Sequence, residues 1–360
     1  MTLGLSRPRR RLAIEAIALG AVLGTGMSHG PRAQITQTAQ SGQAAPPSAT
    51  AATSSATASA TAPANTASED SPFAFALIGD LPYSDLDEPR LAAMLAQIDA
   101  EPLAFVLHVG DIKASSETCS NELYQRRLKL LDASAHPLVL LPGDNEWTDC
   151  HRRSAGRFDP RERLEMLRKI FWSRPEPLGR NARPAVSSMA FERQAQMPEN
   201  VRWKVGAVRF VAVHVVGSNN GLDEYPGSRD EFELRQKANQ AWLFETLALA
   251  EREQASGLVI AAHGDPDFGL FPEKGHRLFL SWLQEIATRF RGQVLFLHGD
   301  SHRFKVDQPL DDSKGHPLAN FTRVESFGYP MSASWVRIGY DPRRAQRFMV
   351  SAREVRQSGF

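Results

Sequence analysis

"PLVLLPGD", residues 137–144, is the stretch on which the fold turns. A run of leucine and valine stops at a glycine and a carboxylate, Asp144. The same ending recurs in "FAFALIGD" (73–80), "LAFVLHVGD" (103–111) and "QVLFLHGDSH" (293–302), which place Asp80, Asp111 and Asp300. A fifth run, "GLVIAAHGD" (257–265), ends in His263 followed by Gly264-Asp265. Short, nearly continuous apolar runs read as strands buried on both faces. Glycine allows a sharp turn where each strand stops.

Amphipathic helices separate the first runs. Leu91, Met94, Leu95 and Ile98 recur at helical spacing, 121–134 is a second helix, and about 161–172 carries Leu164, Leu167, Ile170 and Phe171 on one face. This half therefore reads as βαβ units. The second half mixes in antiparallel elements. "VRWKVGAVRFVAVHVVG" (201–217) is a hairpin turning at Gly206-Ala207, a long helix covers about 230–252, and Phe279, Trp282, Leu283, Ile286 and Phe290 mark another. A β-rich tail includes "ASWVRIGY" (333–340). The fold class is α/β with mixed α+β character.

In open α/β sheets ligands sit beyond the carboxyl ends of the strands, so these acids gather along one edge. Four carboxylates in a partly dry cleft repel one another, and their pKa values rise unless a counter-charge is present. One or two divalent cations supply it, with His263 and His302 as neutral nitrogen ligands. Composition narrows the partners. With 42 Lys+Arg against 41 Asp+Glu the chain is close to neutral, so it lacks the basic footprint of a nucleic-acid binder. A hydrophobic content of 42% is enough for a full core.

The ordered set "GDLP" (79–82), "VGD" (109–111), "PGDNE" (142–146), "AAH" (261–263) and "GDSH" (299–302) resembles the motifs of the calcineurin-like metallophosphoesterase superfamily, which includes the purple acid phosphatases. The resemblance covers about residues 73–340. It implies a four-layer, two-sheet β-sandwich flanked by helices, and two ligand sets: Asp80, Asp111 and His302 for one metal, and Asp111, Asp144, His263 and Asp300 for the other. The sequence departs from the pattern at several places. Pro82 stands where a ligand His is usual, and Ala114 where the purple acid phosphatases place a Tyr, with Lys113 beside it. Asp144 replaces an Asn ligand, Asp300 replaces a His, and Asn145 replaces the catalytic His. The acid-for-amide and acid-for-imidazole changes make the site oxygen-rich, suited to Mn²⁺, Mg²⁺, Fe or Ca²⁺ over an all-nitrogen zinc site. Asn145 donates a hydrogen bond but no proton. His151 and Lys113 are near enough in sequence to supply positive charge, the alternatives being a plain loop histidine and an exposed lysine.

The chain has two cysteines, Cys119 and Cys150, eight residues after Asp111 and six after Asp144. Both fall on loops leaving adjacent strand ends, and a disulfide between them would staple two ligand-bearing loops, the alternative being two unpaired core residues. Trp147 and "VVGSNNG" (215–221) lie close to the same edge, as substrate contacts or as packing and turn residues. "FGYP" (327–330) and Trp335 read as β-core or rim.

Residues 1–33 read as an export signal. "RPRRR" (7–11) precedes the short apolar "LAIEAIALGAVLG" (12–24), and "PRAQ" offers cleavage after Ala33, with an uncleaved anchor as the alternative. Residues 34–72 are almost entirely Ala, Ser, Thr, Gln and Pro, a composition too poor in apolar groups to order itself, so they read as a tether to a domain spanning 73–356. No membrane span is expected beyond the signal. The expectation is an exported, periplasmic or extracellular hydrolase of phosphoric esters, acting by metal-bound hydroxide on a phosphorylated small molecule or another phosphoester, whether monoester, diester or pyrophosphate. A catalytically degenerate binding module of the same fold, at the cell surface or in the periplasm, is the alternative.

Overall fold

A computed structural model describes residues 71–355, so the expected signal (1–33) and most of the tether (34–72) lie outside the described residues. Two mixed sheets form the centre. The first, of five strands, runs β12-β11-β1-β2-β3, with β1 (Phe73–Ile78), β2 (Val106–His108), β3 (Leu138–Leu140), β11 (Ser334–Tyr340) and β12 (Phe348–Glu354). The second, of seven, runs β4-β5-β6-β7-β8-β10-β9, with β4 (Glu192–Arg193), β5 (Val201–Val205), β6 (Val208–Ala212), β7 (Gly257–Ala261), β8 (Gln293–His298), β9 (Lys305–Asp307) and β10 (Phe321–Glu325). β1, β2 and β3 are parallel, as are β6, β7, β8 and β10.

Strand alternation sends side chains into separate cores. Phe75 and Leu77 of β1 and Leu295 and Leu297 of β8 point into the space between the sheets. Ala74, Ala76 and Ile78 face the helices α1 (Glu88–Asp99), α2 (Asn121–Leu131) and α3 (Pro160–Phe171). Val294 and Phe296 face α6 (Ser228–Arg252) and α7 (Arg277–Arg289) on the far side. The result is the four-layer sandwich flanked by helices expected from the sequence. Two short pieces, α4 (Arg183–Ser188) and the turn α5 (Gly217–Asn220), complete the helices.

Local chemistry sets the helix ends. α1 buries Leu91, Met94, Leu95 and Ile98 and carries Pro89 in its first turn, where the missing N–H costs nothing. The Ser120 hydroxyl accepts from Leu123 N–H to cap α2, and the Asp159 carboxylate accepts from Arg161 N–H to cap α3. Between the sheets Phe75, Phe105, Trp203 and Phe210 interlock, with Phe105 edge-on to both Trp203 and Phe210. Truncating Phe105 to Ala would cost about 3–5 kcal/mol through the cavity left behind.

The strands are shorter than their apolar runs. β2 and β3 are three residues each, and the Gly-Asp pairs lie beyond the ladder. All five runs end on the same edge, where the two sheets meet. There Asp80 N–H donates to Gly110 O (3.0 Å), Gly299 N–H to His263 O (3.0 Å), and Asp300 N–H to the Asp80 carboxylate (3.0 Å) across the sheets. Among the described residues no helix is long and apolar enough to cross a membrane.

Candidate metal centre

Asp80, Asp111 and Asp300 all adopt positive φ (57°, 56° and 75°), as does His302 (61°). This left-handed conformation is uncommon outside glycine, and Asp tolerates it better than a branched residue. It swings each carboxylate off the strand direction into the seam. Glycines then admit the close approach. A Cβ on Gly143 would lie 2.0 Å from Asp111 Oδ1, and one on Gly217 would lie 2.4 Å from Asp300 Oδ1 and 2.6 Å from Asp144 Oδ1.

The structure brings all six expected side chains together. Asp80, Asp111 and His302 form one group whose ligand atoms lie within 4.8 Å of one another, and Asp111, Asp144 and His263 form a second, sharing Asp111. His263 Nε2 is 3.1 Å from Asp144 Oδ1, 3.4 Å from Asp111 Oδ1 and 3.9 Å from Asp300 Oδ1. Its Nδ1 is 2.8 Å from Val109 O, which fixes the proton there and aims the other nitrogen at the carboxylates. His302 Nε2 lies 3.6 Å from Asp80 Oδ1.

The electrostatics state the problem a cation solves. Burial, reinforced by the Asp300 and Glu325 charges, lifts the Asp80 carboxyl to about 7 against the pull of His263. Burial, then Asp144, lifts Asp300 to about 6. Burial also raises Asp111 well above the usual carboxylate range, with Asp144, Glu146 and Asp80 adding to the rise. Burial alone would lower His263, but Asp111, Asp144, Asp80 and Asp300 together push it far above the ordinary histidine range. Left to itself the cluster collects protons. The donor set, four carboxylates and two imidazoles sharing one bridging acid, fits one or two divalent cations in their place.

The remaining expected residues are placed as follows. Asn145 Nδ2 donates to Asp111 Oδ2 (2.5 Å) and reaches the Tyr83 hydroxyl (3.4 Å). Lys113 is fully buried rather than exposed, and its ammonium donates to the carbonyls of Asn145 (2.7 Å) and Ala114 (2.8 Å), so it fixes the loop behind the acids. His151 Nδ1 bonds Thr148 O (2.6 Å) and its ring leans on Tyr225; these contacts are not to the clustered carboxylates. Cys119 and Cys150 are joined in a buried disulfide with Cα atoms 5.8 Å apart. Trp147 is a packing residue, buried beneath His214 and Arg235.

Two residues escaped the sequence reading. Tyr83 OH donates to Asp111 Oδ2 (2.8 Å) and lies 2.9 Å from His302 Nε2. It stands one residue after Pro82 and puts an oxygen beside Asp111 and His302. Ser218, inside "VVGSNNG", donates to Asp144 Oδ2 (2.7 Å). Its turn runs through positive φ at Ser218, Asn219 and Asn220 and is clamped from behind by buried Arg235, which donates to Asn220 O (2.8 Å) and His214 O (3.1 Å). "FGYP" is rim: Tyr329 stacks on Tyr83.

No protein-family model matches the chain. No curated protein matches it either. Solved structures that resemble it include a dimetal phosphatase from Danio rerio, at 16% identity and TM-score 0.49, covering 79% of this chain and 96% of that one. A purple acid phosphatase from yellow lupin (Lupinus luteus) seeds follows at 14% and 0.47, covering 79% of this chain and 52% of that one. A 5'-nucleotidase from Candida albicans is similar at 11% and 0.45, covering 79% and 51%. The chain thus spans about half the length of the latter two. At such distances the chemistry has to be read from this chain's own residues.

Proposed function

We propose that the chain is a metal-dependent hydrolase of phosphoric esters of the calcineurin-like metallophosphoesterase type. The carrying observation is His263. A fully buried imidazole with its Nδ1–H committed to Val109 O turns its other nitrogen on three carboxylates, and a divalent cation among them satisfies both sides in place of a proton. The four-layer fold and the two ligand groups sharing Asp111 support the same reading.

Asp80, Asp111 and His302, with the Tyr83 oxygen, would hold one cation, and Asp111, Asp144, His263 and Asp300 the other. When bound, such cations supply Lewis-acid stabilisation of phosphoryl charge and a water of lowered pKa. The chain's residues do the positioning. Asp300 N–H and Asp265 N–H anchor carboxylates of the cluster (Asp80 at 3.0 Å and Asp300 at 2.9 Å), and Ser218 anchors Asp144, so the oxygens are fixed before substrate arrives. Asn145 is a neutral N–H donor at the same edge, suited to a phosphoryl oxygen. Tyr83, Tyr329 and the partly exposed His302 form the rim through which an ester would enter.

The test is hydrolysis of p-nitrophenyl phosphate and bis(p-nitrophenyl) phosphate with Mn²⁺, comparing wild type and Asp111→Asn. Cation-dependent turnover that falls at least ~100-fold in the variant is expected, because both groups lose their shared ligand. Equal inertness across metals and both esters would replace this reading with the second one, a binding module, which Asn145 favours because its amide transfers no proton. The buried disulfide supports export, since such bonds persist in oxidising compartments. Terminal sequencing of protein from an extracytoplasmic fraction, beginning at Gln34, would test the cleavage after Ala33.

A further inference from the structure

We propose that Asp265, His298 and Glu325 form a separate site for one divalent transition-metal cation, on the outer face of the seven-stranded sheet. One ligand atom from each lies within 4.8 Å of the other two. The place is distinct from the seam. His298 and Glu325 are the last residues of β8 and β10 and sit opposite each other in the parallel register. By alternation they share the outer face with Phe296 and Arg323, and the His298 ring stacks on Phe296 at 5.1 Å. Asp265 reaches the same spot from the segment following β7.

Two buried atoms point to a missing partner. His298 and Glu325 are fully buried, yet among the described residues His298 Nε2 and Glu325 Oε2 have no hydrogen-bond partner. Native interiors rarely leave such groups unpaired. His298 Nδ1 lies 2.9 Å from Gly299 O, so the ring carries its proton there and Nε2 is a bare lone pair, the arrangement found in metal-ligating histidines. Facing two carboxylates, that lone pair needs a cation. Arg323 pairs with Asp265 but makes no hydrogen bond to His298 Nε2 or Glu325 Oε2. Its Nη1 is 3.7 Å from Asp265 Oδ1, while its Nε and Nη2 are taken by Asp307. Two oxygens and one imidazole nitrogen suit Mn²⁺, Fe²⁺ or Zn²⁺ better than the all-oxygen preference of Ca²⁺ or Mg²⁺.

The cation would act as a brace. The other oxygen of Glu325 accepts from the Ser301 hydroxyl (2.5 Å) and from Arg303 N–H (2.8 Å). Fixing Glu325 therefore fixes the segment that carries Asp300 and His302.

Counting bound Mn²⁺ by the loss of its free electron-paramagnetic-resonance signal tests the site without reference to activity. Wild type should hold one equivalent more than H298Q/E325Q. Asp111→Asn, which disables the seam centre, should keep the equivalent that the double variant lacks. Equal stoichiometry and Kd in wild type and double variant would overturn the proposal while leaving the seam centre standing. Loss of all cations in Asp111→Asn would overturn it by showing that there is no independent site. Should the double variant not fold, Asp265→Asn decides, because Asp265 is partly exposed: at least tenfold weaker binding of one equivalent is expected, and unchanged binding refutes the site.

Discussion

Removing the disulfide should cost stability without loosening the metal centre. The bond closes a 31-residue separation between Cys119 and Cys150. In the chain-entropy treatment a loop of that length restricts the unfolded state by about 3–4 kcal/mol. The folded loop has other anchors: Lys113 Nζ on Asn145 O (2.7 Å), Tyr124 OH on Glu146 O (2.7 Å) and Thr148 Oγ on Asp144 O (3.0 Å). The position of Asp144 therefore survives the cut, and the loss falls on the unfolded state. With an m-value of about 3 kcal/mol/M, the urea midpoint of C119A/C150A should drop by about 1 M. The Kd for Mn²⁺ should change by less than about threefold, since coupling through an intact loop is weak. Urea unfolding followed by circular dichroism, with Mn²⁺ titration of the folded variant, reads both quantities. An unchanged midpoint refutes the entropic account, and a large loss of Mn²⁺ affinity at native circular dichroism refutes the claim that the loop is held without its staple.

Three other outcomes follow from single contacts. Burial would raise the Glu199 carboxyl, but hydrogen bonds and charges from His214 and Arg168 outweigh it and hold it at about 2. Its stabilisation is therefore present above the ordinary value near 4.5 and lost as pH falls through about 2, by about 3 kcal/mol at ~1.4 kcal/mol per unit. Glu199→Gln should flatten that acid limb and cost roughly 3–5 kcal/mol at neutral pH by stranding its buried partners, as read by urea unfolding across pH; parallel acid limbs in the two proteins would refute the assignment. Gly217→Ala drives a methyl against Asp300 and Asp144 and should weaken Mn²⁺ binding roughly 10–100-fold while shifting the urea midpoint little, and an unaltered Mn²⁺ isotherm would show that the turn yields. Chelation should lower the Tm by roughly 5–10 °C, corresponding to about 2.7 kcal/mol of binding free energy at a hundredfold excess over Kd, and differential scanning calorimetry with and without chelator checks it.

The apolar runs made the central strands legible because parallel strands buried on both faces leave little room for polar residues. β7 is buried at every position, and the turn of the β5–β6 hairpin falls at Gly206-Ala207 as its pattern indicates. β10 was not legible. In "FTRVE" (321–325), Arg323 and Glu325 occupy outward positions that a core-seeking strand would fill with apolar groups; Glu325 belongs to the cluster with Asp265 and His298, and Arg323 pairs with Asp265. The apolar runs overshoot the strands by two to four residues because the Gly-Asp pairs continue the run in sequence but leave the ladder, at Asp80, Asp111 and Asp300 through left-handed φ. Tyr83 was missed for a related reason. Spacing locates a backbone position, whereas a long side chain one residue away puts its oxygen beside Asp111 and His302. His151 shows the converse: it is adjacent in sequence to the disulfide, but its short helical turn directs the ring at Thr148 and Tyr225.

The two clusters differ in what they ask of the fold. The seam centre places three carboxylate-bearing residues in left-handed backbone conformations, each costing on the order of 1–3 kcal/mol, and packs acids whose ionisation burial opposes. Such a site persists only where the surroundings over-determine it, and the seam does so because ligands from both sheets cross-brace one another, as Asp300 N–H does on Asp80. The outer cluster uses regular strand positions at His298 and Glu325, with no unusual backbone there. Its loss should leave the sheet intact and loosen only the segment from Ser301 to Arg303 that Glu325 holds. Amide hydrogen exchange separates the two kinds of support. In H298Q/E325Q the amide of Arg303 should exchange faster while those of β8 and β10 keep their protection, whereas uniform deprotection of the sheet would mean that the outer cluster supports the fold itself.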